Sequence, residues 1–297
     1  MCRVAKGLSS VLPMFFGWQP AEAPCRSLCI NQSLAVRSAY PCPTLNQLYY
    51  LGASSLQFLD FTASTPQENL ALDEAMLMLA EGSQFGECLR VWDALSPFVV
   101  LGRGSRYGEE VQLDLCRQDS VPVLRRVSGG ATILAAPGCM FYTVLLSLER
   151  RPELQMLDNA HSFVMQEIQR AIEPLRHGTE LQGTCDLTLS DRKVSGNALR
   201  VTREWVLYHG TLLVNMDLQL VSRYLRHPPR EPDYRGKRSH ADFIANLEID
   251  RQALCASLQK TWGATEPVTH SERESLDSAT NELVTGKYAL DSWNLSR

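Results

Sequence analysis

The chain has 297 residues, 44% of them apolar, with 29 Lys and Arg against 33 Asp and Glu. That length supplies one large or two ordinary domains with a buried core, and the near-balanced charge of −4 argues against a chain built around nucleic acid or an anionic membrane. No apolar run approaches the roughly 18 residues of a membrane span. Nine cysteines at irregular spacing read as reduced, small apolar side chains of an intracellular protein rather than a disulfide framework. Cys25 and Cys29 lack a second Cys or His pair at zinc spacing, so no metal site is expected.

Residues 1–55 hold a single acid, Glu22, against Arg3, Lys6, Arg26 and Arg37. Pro13 and Gly17 break the short apolar run that a signal peptide would need. An organellar transit peptide and a disordered extension both fit, so the location is expected to be cytoplasmic, or organellar if this segment is a targeting signal. From LQFLDFT (56–62) onward the alternation predicts strand. A helix follows over 65–82, with Thr65 as N-cap, Pro66 at the first helical position, Glu68 closing a capping box and Gly82 ending it. ECLRVWDAL and PFVVLGRGS read as strands around Ser96-Pro97, then a short helix (108–119) and the strand VPVLRR. CMFYTVLLSL (139–148) is a continuous apolar run, hence a central strand, and 154–175 is a long amphipathic helix stopped by Pro174. Two strands over 183–200, another at 205–215, and helices at 217–225 and 249–263 complete the pattern. The expectation is an α+β fold: a mixed, largely antiparallel sheet with helices, one domain over 56–263. Residues 264–297 are polar and read as a C-terminal tail.

Two segments carry candidate chemistry. In RRVSGGATILAAPGC (125–139), Gly129 and Gly130 remove Cβ atoms where backbone turns sharply or approaches a ligand. Arg125 and Arg126 stand just before the gap, one on each face of the strand, where one of them can reach a carboxylate or phosphate. A plain Gly-Gly turn with two surface arginines gives the same pattern. In GTCDLTLSDRKVSGNALR (183–200), Lys193 precedes small residues, so it can lie flat along a pocket wall as a point charge. HGTLL (209–213) adds a small-residue turn with His209 at its lip.

Together, RRVSGG, DRKVSGNALR and LYHGTLLVNMDL, with the helix PQENLALDEAM and VVLGRGS before them, resemble the lipoate–protein ligase and lipoyl/octanoyl transferase family, in the superfamily of biotin–protein ligases. The resemblance runs from residue 58 to about 262. It implies a pocket for lipoate or octanoate and, in ligases, an adenylate formed with ATP and Mg²⁺. It implies that Lys193 binds the oxygens where acyl carboxylate meets α-phosphate and stabilises the charge that develops there. Gly129 and Gly130 would line the acyl slot and Arg125 would bear on the carboxylate or phosphate, with Arg126, Ser128 and Ala131 as further substrate- or nucleotide-binding candidates. Ser195, Gly196 and Asn197 would border the nucleotide, and His209, Gly210 and Thr211 the adenine side. The partners implied are lipoyl-carrier domains of the 2-oxoacid dehydrogenase E2 or glycine-cleavage H type, and in some members an accessory ligase chain. No nucleic acid or membrane partner is expected.

The chain departs from the ligase pattern at Ala131, where a third glycine is usual, and at Ala135-Ala136, where a His-Asp is usual. Transferases of the family use a cysteine as acyl acceptor, and Cys185 sits eight residues before Lys193, a cation that would favour its thiolate. Equally, a Cys on a half-buried strand is a small apolar residue. Asp186 can orient Lys193 or the acceptor amine, or pair at the surface. The leading expectation is an ATP-dependent lipoate–protein ligase; the alternative is an ATP-independent transferase working through a Cys185 thioester. The basic, Pro-stiffened loop 223–240 either closes over phosphate, docks an acidic carrier, or is a solvated loop.

Overall fold

The computed structural model describes residues 56–297; the expected extension, residues 1–55, lies outside the described residues. Eleven strands are described: β1 (Gln57–Asp60), β2 (Cys88–Asp93), β3 (Phe98–Leu101), β4 (Val123–Arg125), β5 (Ile133–Ala135), β6 (Cys139–Ser147), β7 (Thr179–Gln182), β8 (Asp186–Leu189), β9 (Arg192–Val201), β10 (Trp205–Leu213) and β11 (Glu266–Pro267). Eight form one sheet in the order β11-β1-β2-β6-β10-β9-β8-β7, and three form a second, β4-β3-β5. Only β1 with its two neighbours, and β3 with β4, pair in parallel. The fold is therefore the expected α+β arrangement around a mixed, largely antiparallel sheet.

Alternation along β6 explains the layering. Cys139, Phe141 and Leu145 enter one core; Met140, Tyr142, Val144 and Leu146 enter the other. Every residue of β6 is buried, which is why the strand reads as an unbroken apolar run. On one face lie helix α1 (Pro66–Glu81) and the small sheet; on the other lie α2 (Leu157–Ile172) and α3 (Arg251–Trp262). The Thr65–Glu68 capping box of α1 is present in both directions. The strands at 88–93 and 98–101 do not pair with each other: β2 joins the large sheet and β3 the small one.

One reading changes. Residues 264–297 are not an extended tail: they form β11, the helix α4 (His270–Leu283), a π-helical turn (Val284–Tyr288) and a short α5 (Asp291–Asn294). Leu276, Thr280, Tyr288 and Asn294 are buried, too few apolar residues to announce a packed element. Polar residues of α1, which the sequence reading left unplaced, prove to be buried. Asn69, Asp73 and Glu74 are buried because the helix has the sheet on one side and the 270–288 segment on the other.

Candidate active site

HGTLL is the C-terminal half of β10, not a turn, and the strand pairs with β6 on one side and β9 on the other. This register puts Gly210 opposite Asn197 and Thr211 opposite Gly196. Lys193, Ser195, Gly196 and Asn197 all belong to β9, so two of the candidate motifs are one sheet surface. A cavity of about 180 Å³ opens over it, with apolar walls from Val100, Leu134, Phe141, Leu213 and Phe243. Its polar lining includes Arg126, Lys193, Ser195, Asn197, His209 and Thr211.

Lys193 lies flat, as its small neighbours predict. A Cβ at Gly196 would stand 3.0 Å from Lys193 Cε and 3.1 Å from Nζ, so the glycine leaves the lysine its bed. Its Nζ pairs with Asp186 Oδ1 at 2.7 Å, and Tyr234 donates to Asp186 Oδ2 at 2.7 Å. Lys193 remains 26% exposed, whereas Asp186 is nearly enclosed. Asp186 thus pairs with Lys193, one of the partners the sequence left open. Tyr234, which belongs to the Pro-rich loop, was not singled out.

Arg126 is a buried cation of the same cavity. Its guanidinium donates to Ser128 Oγ and to the carbonyls of Val100, Gly129 and Ala131, all neutral acceptors. Burial lowers its pKa to about 10, which leaves it cationic at neutral pH. A buried positive charge satisfied only by dipoles is a place for an anion. Arg125 behaves differently. It does not line the cavity; its guanidinium donates to the carbonyls of Gly102, Arg103, Ser105 and Trp293. The two arginines face opposite ways because neighbours on a strand must, and only the second reaches the cavity.

Ser128, Gly129 and Gly130 stand behind the wall, and Ala131 lines it. Gly130 has φ +87°, and a Cβ at Gly102 would meet the Gly130 carbonyl oxygen at 2.0 Å, so two backbones touch there. Ser128 Oγ lies 2.5 Å from His209 Nε2, while His209 Nδ1 faces Asp73 Oδ2 at 3.3 Å. The Asp73 carboxylate can accept from Nδ1–H. Asp73 also receives Arg90 and Thr143. Burial pushes the Asp73 carboxyl up, but Arg90, His209 and Thr143 outweigh it and hold it below the usual aspartate value. Sequence reading missed this acid. The one available signal was Asn69 and Asp73, polar at i and i+4 inside an apolar helix face.

Glu110 was missed too. It lines the cavity and accepts from Ser105 Oγ, Thr132 N and Thr132 Oγ1, beside the position where a third glycine is usual. Ala135 and Ala136 are buried in the small-sheet core and take no part.

Cys185 is not in this cavity. It lines a separate depression with Asp158, His161, Ser162 and Leu181, and its Sγ donates to the Asn197 carbonyl at 3.2 Å. Burial and Asp186 push its thiol up to about 11, against the smaller opposing effect of Lys193. The expected cationic activation is therefore outweighed. Asn197 reaches across instead: Nδ2 donates to the Cys185 carbonyl and Tyr142 OH donates to Asn197 Oδ1 at 2.6 Å.

Comparison with known proteins bears on the same residues. The chain matches the lipoyl protein ligase A/B catalytic domain over residues 65–256. A Schizosaccharomyces pombe protein named for lipoate-protein ligase A is 33% identical over 186 residues, covering 62% of this chain and 48% of that one. The chain thus spans about half the length of that relative. Lipoate–protein ligase 1 of Staphylococcus aureus is 26% identical over 250 residues, covering 78% of this chain and 70% of its own. Among solved structures, a bipartite lipoate protein ligase of Thermoplasma acidophilum, described with its E2 lipoyl domain, superposes with a TM-score of 0.67 at 22% identity, over 82% of this chain and 97% of that one. A lipoate-protein ligase A bound with ATP gives 0.64 at 20% identity, over 82% and 99%. At these identities the likeness is one of fold.

Proposed function

Because the chain belongs to the lipoyl protein ligase A/B catalytic domain family, we propose that it activates lipoate with ATP and transfers the lipoyl group to a lysine of a lipoyl-carrier domain. The observation that carries this reading is the cavity itself, apolar walls meeting cations, Lys193 and the buried Arg126 among them, over one sheet face. In the first step the lipoate carboxylate attacks the α-phosphorus and pyrophosphate leaves. In the second, the carrier amine attacks the acyl carbon, AMP leaves with the bonding electron pair, and the amine proton passes to solvent. Lys193 would neutralise charge on the acyl–phosphate oxygens in both steps, held in place by Asp186. Arg126 would bind the carboxylate or α-phosphate, and Ser195, Gly196 and Asn197 would border the nucleotide, with His209, Gly210 and Thr211 beside it.

Mg²⁺ would arrive on the nucleotide phosphates, since the described residues gather no group of three acids, histidines or cysteines around one point. A second, accessory chain is consistent with the bipartite organisation of the T. acidophilum relative. The reaction is assigned to the cytoplasm, or to an organelle if residues 1–55 act as a transit peptide. No helix among the described residues is long and apolar enough to cross a membrane.

The thioester alternative asks Cys185 to ionise and to face the acyl chain, and its high pKa and separate depression speak against both. Intact mass of an apo lipoyl domain tests the choice. A lipoyl gain that needs ATP–Mg²⁺, survives Cys185→Ser and disappears in Lys193→Leu is expected. A gain from an octanoylated carrier alone, lost in Cys185→Ser, would overturn the ligase reading. Near-normal transfer by Lys193→Leu would overturn the role given to that residue. A gain only after adding an accessory chain would assign the activity to a pair.

A further inference from the structure

Strand β4 is an edge of the small sheet, and the segment after α4 covers it. The Arg125 N–H donates to Asn294 Oδ1 at 3.0 Å, and the Arg125 carbonyl accepts from Trp293 Nε1 at 2.9 Å. Two side chains thus satisfy one residue's peptide groups on an open edge, the work a partner strand would do. The covering segment is itself fixed. Asn294 Nδ2 donates to the Tyr288 carbonyl, Tyr288 OH donates to the buried Glu74 of α1, and Lys287 Nζ reaches both Glu74 oxygens at 2.8 Å.

From β4 the contacts continue toward the cavity. Arg125 Nη1 donates to the Gly102 and Ser105 carbonyls at 2.8 and 2.9 Å, closing the 102–105 loop. That loop lies on the glycine turn: the Arg103 N–H donates to the Ser128 carbonyl at 2.8 Å, and Gly102 abuts Gly130 without room for a Cβ. The turn then delivers Ala131 into the cavity wall and supplies the Gly129 and Ala131 carbonyls that hold Arg126. An unbroken series of contacts runs from Asn294 to a cavity cation.

We propose that Trp293 and Asn294 are positioning residues for the 128–131 wall, acting through Arg125 and the 102–105 loop. The role in substrate binding rests on the ligase reading; the role in holding the wall does not. Neither residue touches the cavity, so an effect on binding has to travel through the loops.

The test uses the full chain with Trp293→Phe, which keeps a ring beside Lys287 and Tyr288 but removes the donor, and Asn294→Ala. Amide hydrogen exchange is followed across the protein without substrates, and KM and kcat are measured separately. Each lost hydrogen bond should speed exchange at residues 102–105 and 128–131 about tenfold while β6 and β10 keep their protection. The KM for lipoate should rise by a comparable factor with kcat within about twofold, a split that plain instability does not give. Unchanged exchange in both loops overturns the proposal. Exchange quickened evenly across β6, β10 and the loops also overturns it, because the segment would then support only global stability. If the unsubstituted protein transfers no lipoyl group while the loops respond as expected, the ligase reading fails and the positioning role stands.

Discussion

Two glycines of the same sheet surface have different reasons to be glycine, and substitution should separate them. At Gly196 the neighbour is the far end of Lys193, which is flexible and can move aside. Gly196→Ala should therefore keep its melting temperature while displacing the ammonium by about 1 Å, enough for a loss in kcat/KM of about 100-fold. At Gly210 a Cβ would meet Asn197 Oδ1 at 1.6 Å and Tyr142 Cε1 at 2.9 Å, both tied into a buried network. Gly210→Ala should cost about 1–3 kcal/mol of stability through overpacking, read from urea denaturation. Equal behaviour of the two variants would contradict this distinction. Cys185 carries a further residue-scale expectation. With its thiol pushed up to about 11, alkylation by iodoacetamide should be slow at pH 7 and climb toward that value. A plateau reached by pH 8 would show an activated thiolate and restore the transferase alternative.

At the scale of elements, helix α1 shows what sequence discloses and what it hides. Its start was legible because a capping box is local: Thr65, Pro66 and Glu68 specify it without the rest of the fold. Thr65→Ala should cost about 1 kcal/mol, measurable as a lowered melting temperature. Burial of Asp73 was not legible, because it depends on Arg90, Thr143 and His209 arriving from three strands. The same holds for β9 and β10. Each motif was visible, but only the register Gly210 to Asn197 makes them one surface. Asp73 also yields a pH expectation. Its folded pKa lies below its unfolded one, so the group stabilises the native state above the unfolded value of about 3.9, and that stability is lost as pH falls through the folded value. Asp73→Asn should remove this acid-side dependence and, by leaving Arg90 without its charge partner, lower stability at pH 7 by about 3–5 kcal/mol. Denaturant titrations at pH 3 and pH 7 compare the two proteins directly.

Across the whole molecule, the order of strands and helices pointed to the right fold class, but polar composition misjudged residues 264–297, whose few buried side chains, Leu276 and Tyr288 among them, are spread through polar sequence. Composition also averages away the distribution of charge. The chain carries a formal −4, yet its cavity is lined by Arg126, Lys193, Arg226, Arg230 and Arg235 against Asp73 and Glu110. Asp73 is paired with Arg90, Lys193 with Asp186 and Arg235 with Glu231, which leaves Arg126, Arg226 and Arg230 against Glu110, so the field at the opening is positive. An anionic substrate should be drawn in by that field, and salt should weaken the attraction as the screening length shrinks from about 30 Å at 0.01 M to about 8 Å at 0.15 M. The kcat/KM for ATP should fall several-fold over that range with kcat little changed. Arg230 is exposed at the opening, so Arg230→Gln should flatten the salt dependence and leave kcat alone. A dependence equally steep in both proteins would mean that the attraction comes from the other cations of the cavity and that Arg230 serves it by shape rather than charge.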